Sequence, residues 1–233
     1  MNRWAQPWKP LLSLLLAAAC PLCERHQSGG ASRSSQRVFC FDCERQLRRC
    51  HLARSQQVGQ DVLPVFAWGE YGGALKQAIA TLKYKAKPEV AQPLGFWLGE
   101  AWRQATSTQE RQTVLPIPLH TQKQRQRGYN QAALLAEAFC QITNLPLAAE
   151  GLVRIRSTEA QFGLSIAARE QNLADAFAVN PAFARQHPTR VLLLDDIYTT
   201  GATVKAAATC LQRQGIAVEG VVVLARPSIA QRH

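Results

Sequence analysis

The stretch "VLLLDDIYTTGATV", residues 191–204, limits what this chain can fold into more than any other part of it. Val191 and the three leucines after it make a continuous apolar run that reads as a strand buried on both faces. Such strands belong to parallel sheets covered by helices on each side. Two carboxylates, Asp195 and Asp196, stand at the carboxyl end of the strand, and a loop of hydroxyls and glycine then opens a helix. A helix N-terminus offers unpaired N–H groups and a partial positive charge, which together suit a phosphate. Gly201 lets the backbone approach a ligand closely, and Thr199, Thr200 and Thr203 add hydroxyl donors. Carboxylates repel phosphate, so the acids must face something else; ribose hydroxyls and a magnesium ion both suit their oxygens. The string therefore predicts a sugar-phosphate site. The competing phosphate patterns G-x-x-x-x-G-K-[ST] and G-x-G-x-x-G are absent.

From Val62 onward the chain alternates strand-like and helix-like pieces. "LPVFAWGEY", "TVLPIPL", "RVLLLDD" and "AVEGVVVLAR" read as strands. "GALKQAIATLKY" has a helical apolar face, and "EVAQPLGFWLGEAWRQA" carries Val90, Leu94, Trp97, Leu98 and Trp102 on one helical stripe, with Pro93 in the first turn or breaking it. "YNQAALLAEAFCQI", "SIAAREQNLADAF" with Ser165 as N-cap, and "TVKAAATCLQRQ" with Gly215 as its stop are further helices. The expected fold class is α/β, a mostly parallel sheet flanked by helices, with its ligand at the carboxyl ends of the strands. The polar segment "RSQQVGQD", residues 54–61, reads as a linker, which divides the chain into residues 1–53 and residues 62–233.

The smaller part holds five of the seven cysteines. Cys20-Pro-Leu-Cys23 and Cys40-Phe-Asp-Cys43 are two C-x2-C pairs separated by a polar, Gly/Ser-rich loop, a spacing that closes a tetrahedral S4 shell around zinc. With little apolar material of its own, this region needs the metal to fold. The complete protein shell makes the zinc structural, with Cys50 and His51 near enough to compete as ligands. Cys140 and Cys210 fall on apolar helical faces and are read as core thiols. The lead-in "LLSLLLAAAC" has the outline of an export signal. A processed Cys20 could not join Cys23 on a metal, so the run is expected to be a short packed helix that the mature protein keeps. No stretch approaches the eighteen or more uninterrupted apolar residues of a spanning helix.

The formal net charge is +11. A balance this basic favours polyanionic partners: nucleic acid, phosphorylated metabolites or an anionic surface. The arginine-rich "QKQRQRGYNQ" contributes to it, and Tyr129 beside those arginines is a candidate for stacking on a base.

"VLLLDDIYTTGAT" resembles the phosphoribosyl pyrophosphate (PRPP) motif of type I phosphoribosyltransferases. "LKYKAKPEVAQPLG", "LPIPLHTQKQRQRGYNQAALLA" and "AQFGLSIAAREQNLADAF" are similar, in that order, to the blocks of the ComF family, which includes GntX-like proteins. The resemblance covers nearly the whole chain. It implies the type I phosphoribosyltransferase fold with a small N-terminal four-cysteine zinc finger. It also implies that Asp195 and Asp196 are the catalytic pair holding the ribose hydroxyls, that Thr199, Thr200, Gly201, Ala202 and Thr203 take the 5'-phosphate, and that Lys83 and Arg127 complete the PRPP site, with magnesium accompanying the ligand. Lys85, Arg125, Tyr129, Asn130, Gln131 and Arg169, the last with Asn172 in an R-x-x-N block, become candidates for contact with diphosphate or nucleic acid. The implied function is natural competence and DNA uptake, with incoming single-stranded DNA and competence-machinery proteins as partners in the cytoplasm. The alternative is an active phosphoribosyltransferase of nucleotide or nucleoside metabolism with an unidentified acceptor.

Overall fold

The computed structural model describes residues 19–26, 37–52, 63–106, 112–156 and 175–228. In chain order these form α1 (Phe41–Arg48), β1 (Val65–Glu70), α2 (Gly73–Tyr84), a 3-10 turn (Pro88–Val90), α3 (Ala91–Ala105), β2 (Thr113–Pro116), α4 (Thr121–Arg127), α5 (Gln131–Thr143), β3 (Leu152–Arg154), β4 (Phe177–Val179), α6 (Pro181–Ala184), β5 (Arg190–Ile197), α7 (Ala202–Gln212) and β6 (Ala217–Arg226). The main sheet is four-stranded, in the order β1-β6-β5-β2, with every pairing parallel. β3 and β4 form a separate antiparallel pair.

Helices cover both faces, as a parallel sheet requires. On one face α2, α3 and α5 pack over Phe66, Leu192, Leu194, Val222 and Leu224. On the other, α7, α6 and the β3–β4 pair pack over Val65, Leu193, Val221 and Val223. α3 and α5 approach closely because Gly95 and Gly99 carry no side chain. A Cβ on Gly95 would lie 2.6 Å from both Ala138 Cβ and the Leu135 carbonyl oxygen. Pro93 sits in the first turn of α3, where its missing N–H costs nothing.

The cysteine-rich region is built onto this body and shares its core. Cys20, Leu22, Phe39 and Leu47 are buried in the same cluster as Trp68, Leu75 and Trp97. Its last residues continue the sheet. His51 bridges Gly69 in antiparallel fashion, Leu52 N–H donates to the Trp68 carbonyl at 3.0 Å, and Glu70 N–H donates to the Cys50 carbonyl at 2.9 Å. This pairing covers the outer edge of β1, which would otherwise expose a row of unpaired backbone groups. The approach is so close that a Cβ on Gly69 would sit 2.8 Å from the Cys50 carbonyl oxygen and 2.7 Å from Leu75 Cδ2.

Three expectations differ or fall elsewhere. The helix expected over "SIAAREQNLADAF" does not reach its last residues: Phe177 opens β4, where it pairs with Arg154. The remainder of that segment, with Ser165, Arg169 and Asn172, lies outside the described residues, as do residues 11–18 of the N-terminal apolar run and the linker at 54–61. α1, α4, α6 and the β3–β4 pair carry too few residues for a periodic pattern to mark them.

Replacing Gly69 with alanine should cost about 1–3 kcal/mol in urea unfolding, because neither the Cys50 backbone nor the buried Leu75 side chain can give way. Gly72→Ala is the control: its added Cβ meets nothing within 4 Å, and stability should be unchanged.

Candidate functional site

Two sites stand out, one of thiols and one of acids. The first knuckle is a tight turn: Glu24 adopts a left-handed conformation (φ 61°), and its N–H donates to the Cys20 carbonyl at 2.8 Å. The second is the start of α1, with Cys40 as N-cap and Cys43 in the first turn. The four Sγ atoms of Cys20, Cys23, Cys40 and Cys43 lie within 4.8 Å of one another. The Cys23 and Cys40 sulfurs are 3.7 Å apart. Zinc–sulfur bonds of about 2.3 Å put tetrahedral sulfurs about 3.8 Å apart, so the donor set fits that ion. Burial pushes the Cys40 and Cys43 thiols up. Burial acts on Cys20 too, but backbone hydrogen bonds from Cys40, Cys23 and Leu22 together bring it down to about 7. A crowded set with one thiol ready to ionise and others held protonated is what a dication would relieve. Cys50 lies outside the cluster and donates to the Gln46 and Gly72 carbonyls, while the His51 ring lies 5.2 Å from that of Trp68.

The acids lie within the last turn of the central strand rather than beyond it. Asp195 pairs with Val223, and Ile197 with Ala225. Successive side chains of a strand alternate between faces, so the two carboxylates serve opposite sides of the sheet. Asp196, only 3% exposed, lies on the α2 side, where Lys83 Nζ approaches its Oδ2 at 2.5 Å. Asp195 lies on the β3 side and accepts the Asp196 N–H at 2.8 Å. Burial, and then the adjoining Asp196 charge, raise Asp195 well above the usual carboxylate range, against the pull of Lys83. The guanidinium of Arg154 feels the Asp195 charge. The strand bearing it also brings Arg154 beside His120, the residue that caps α4 at the exit from β2. Arg154 carries no sequence signal as a site residue, because tertiary pairing alone brings it to Asp195.

The loop after the acids has the form expected for an anion site. Gly201 is the N-cap of α7 in a left-handed conformation (φ 74°), and it has no side chain to occupy the first-turn donors. The buried Tyr198 ring lies against Gly201 so closely that a Cβ there would collide with it. Thr199, Thr200 and Ala202 are exposed, and Thr200 Oγ1 accepts the Ala202 N–H at 3.4 Å. Gly201 and Thr203 are half-buried.

The arginine block is partly committed within the protein. Tyr129 donates its hydroxyl to the Leu82 carbonyl at 2.5 Å. Asn130 caps α5 through Ala132 N–H and also donates to the Ile117 carbonyl. Gln131 is buried and accepts from Arg127, whose guanidinium lies 5.8 Å from the Tyr84 ring centre. Arg125 is exposed, and Lys85 pairs with Glu24 at 3.4 Å.

No family profile matches the chain. It is 29% identical over 195 residues to competence protein F of Haemophilus influenzae, covering 81% of this chain and 84% of that one. It is 28% identical to the DNA utilization protein YhgH of Escherichia coli, covering 89% of each. It is 28% identical to competence protein ComFC of Bacillus subtilis, covering 84% of this chain and 72% of that one. Over most of its length the chain is thus similar to proteins named for competence and for DNA utilization. Among solved structures, the glutamine PRPP amidotransferase of B. subtilis matches with a TM-score of 0.41 and 20% identity, over 62% of this chain and 30% of that longer one. The adenine phosphoribosyltransferase of Leishmania tarentolae matches at 0.36 and 13%, over 64% of this chain and 74% of that one. The chain carries a parallel sheet whose strand β5 has an acidic pair at its carboxyl end, with a four-cysteine cluster docked at the sheet's edge. Among the described residues, no helix is long and apolar enough to cross a membrane.

The thiol cluster and the acids each generate a test. Phe39 and Arg48 of the cysteine-rich region pack on Trp97, with the guanidinium 4.4 Å from its ring centre. A strong chelator should therefore red-shift tryptophan emission and lower Tm, and added zinc should reverse both. A carboxyl whose folded pKa lies above its unfolded value costs stability as pH rises through that range. Asp195→Asn removes this cost, so the Tm of the variant should exceed that of the wild type at neutral pH, and the gap should close in acid.

Proposed function

We propose that this ComF-like protein binds PRPP or a closely related sugar phosphate and acts in the handling of single-stranded DNA during uptake, in the cytoplasm. The observation that carries the reading is the strand, loop and helix of residues 191–204. There an acidic pair at the end of a buried parallel strand adjoins a left-handed glycine and an uncapped helix N-terminus. The first-turn N–H groups of α7 and the hydroxyls of Thr199, Thr200 and Thr203 receive the 5'-phosphate. Asp195 and Asp196 accept the ribose hydroxyls. Lys83 and Arg127 supply positive charge for the diphosphate, Lys83 by exchanging Asp196 for the ligand. Asp195 and Asp196 are also the hard oxygen donors that would hold magnesium, which when bound screens the charge of a diphosphate. Zinc in the four-thiolate shell is structural, since all four positions are filled by protein.

The link to DNA rests on the relatives named for competence and DNA utilization, and on the charge of +11. Backbone phosphates are the main source of nucleic-acid affinity, and lysine and arginine supply it.

Calorimetric titration of PRPP with magnesium into the wild type should show one saturable site. Asp195→Asn/Asp196→Asn should weaken binding at least tenfold while the protein stays folded. Absence of binding to the wild type would remove the sugar-phosphate reading.

A further inference from the structure

The large apolar or aromatic side chains exposed among the described residues are Phe41, Tyr84, Val153 and Ile155. Two of these are aromatic with a guanidinium beside them: Phe41 with Arg45, and Tyr84 with Arg127, each at 5.8 Å from the ring centre. Their surroundings differ. The helix bearing Phe41 also bears Asp42 and Glu44, which pair with Arg45 and Arg48 and cancel much of the local charge. Tyr84 lies between two segments, residues 83–87 and 121–127, that together hold six basic residues and no acid. The nearby acids are Glu24, in a solvent-screened pair with Lys85, and Glu89 in the 3-10 turn. Lys85, Lys87 and Arg125 are exposed.

The fold holds this edge in place at some cost. Ala86 is in the left-handed region (φ 50°), a conformation that needs support from its surroundings in any residue with a Cβ. Tyr129 supports the helix end that leads into this turn: its hydroxyl donates to the Leu82 carbonyl in the last turn of α2. The tyrosine that the sequence offered for stacking is thus a half-buried anchor, and the tyrosine next to it that stands in solvent, 78% exposed, is Tyr84. The residue before Tyr84 is Lys83, whose amine reaches Asp196 in the sugar-phosphate site. Tyr84 thus closes the same helix, α2, that delivers Lys83 to Asp196.

We propose that Tyr84 is a stacking platform for a base of single-stranded nucleic acid, with Lys85, Lys87 and Arg125 taking the adjoining phosphates. An exposed ring flanked by cations that outnumber the two acids nearby matches what a flexible polyanion with unpaired bases requires. The inference rests on the reading that the protein handles single-stranded DNA, and it names the surface that does so.

The test compares a fluorescent oligothymidylate with an abasic strand of the same length. The wild type should bind the base-bearing strand more tightly, and Tyr84→Ala should weaken it roughly five- to hundredfold, abolishing the preference. Tyr84→Phe should retain the preference. Lys85→Gln/Lys87→Gln should preserve the preference but lower the log–log salt slope by about 1.4. Salt-dependent binding with no base preference, or a preference that survives Tyr84→Ala, would overturn the stacking platform and leave the DNA-handling reading standing. No binding of either strand by the wild type at low salt would overturn that reading as well.

Discussion

The pairing of Lys83 with Asp196 is the contact on which the arrangement of the site depends. Asp196 is the penultimate residue of β5, a largely apolar strand hydrogen-bonded on both sides, where an isolated carboxylate would be expensive to bury. The amine of Lys83, delivered by the last turn of α2, makes it tolerable. The same contact fixes where α2 ends, and so where Tyr84, Lys85 and Lys87 begin. For Asp195, burial and the adjoining Asp196 charge outweigh the pull of Lys83, and it remains hard to ionise. The two acids are thus held differently, one against a lysine and one by burial.

α2 is also the element through which the cysteine-rich region and the acidic site share a frame. Near its middle, Gln77 donates to the Leu22 carbonyl of the first knuckle at 2.9 Å, and just beyond its end Lys85 pairs with Glu24. Its apolar side, Leu75, Ala78, Ile79 and Leu82, lies in the cluster that also takes in Leu22, Phe39 and Leu47. Loosening the thiol cluster would thus remove support from the helix that carries Lys83. The physical route is a shared core and an edge-strand pairing rather than a flexible tether.

Much of this was legible in advance because its signals are local. An apolar run ending in two acids, a hydroxyl-rich stretch and a glycine specify a strand, a tight loop and a helix over fourteen adjacent residues. Two C-x2-C pairs specify a tetrahedral thiol shell however the intervening loop runs. α2 and α3 were legible because their apolar stripes are long. The roles of Tyr129 and Tyr84 were not. Both are tyrosines in basic surroundings, and only packing distinguishes the half-buried ring whose hydroxyl is held by a backbone carbonyl from the one left in solvent. Arg154 was silent for the same reason, since β3 is a three-residue strand whose partners are far away in sequence.

By itself, then, the sequence determined the parallel α/β class, the acidic strand end with its hydroxyl- and glycine-bearing loop, and the four-thiol cluster, because each follows from periodicity or spacing within a short window. Tertiary structure decided which way each acid faces, which lysine neutralises one of them, that the cysteine-rich region completes the sheet edge through the bare backbone of Gly69, and which tyrosine meets the solvent. Those outcomes depend on contacts between residues distant in sequence, and no local pattern encodes the geometry of such contacts.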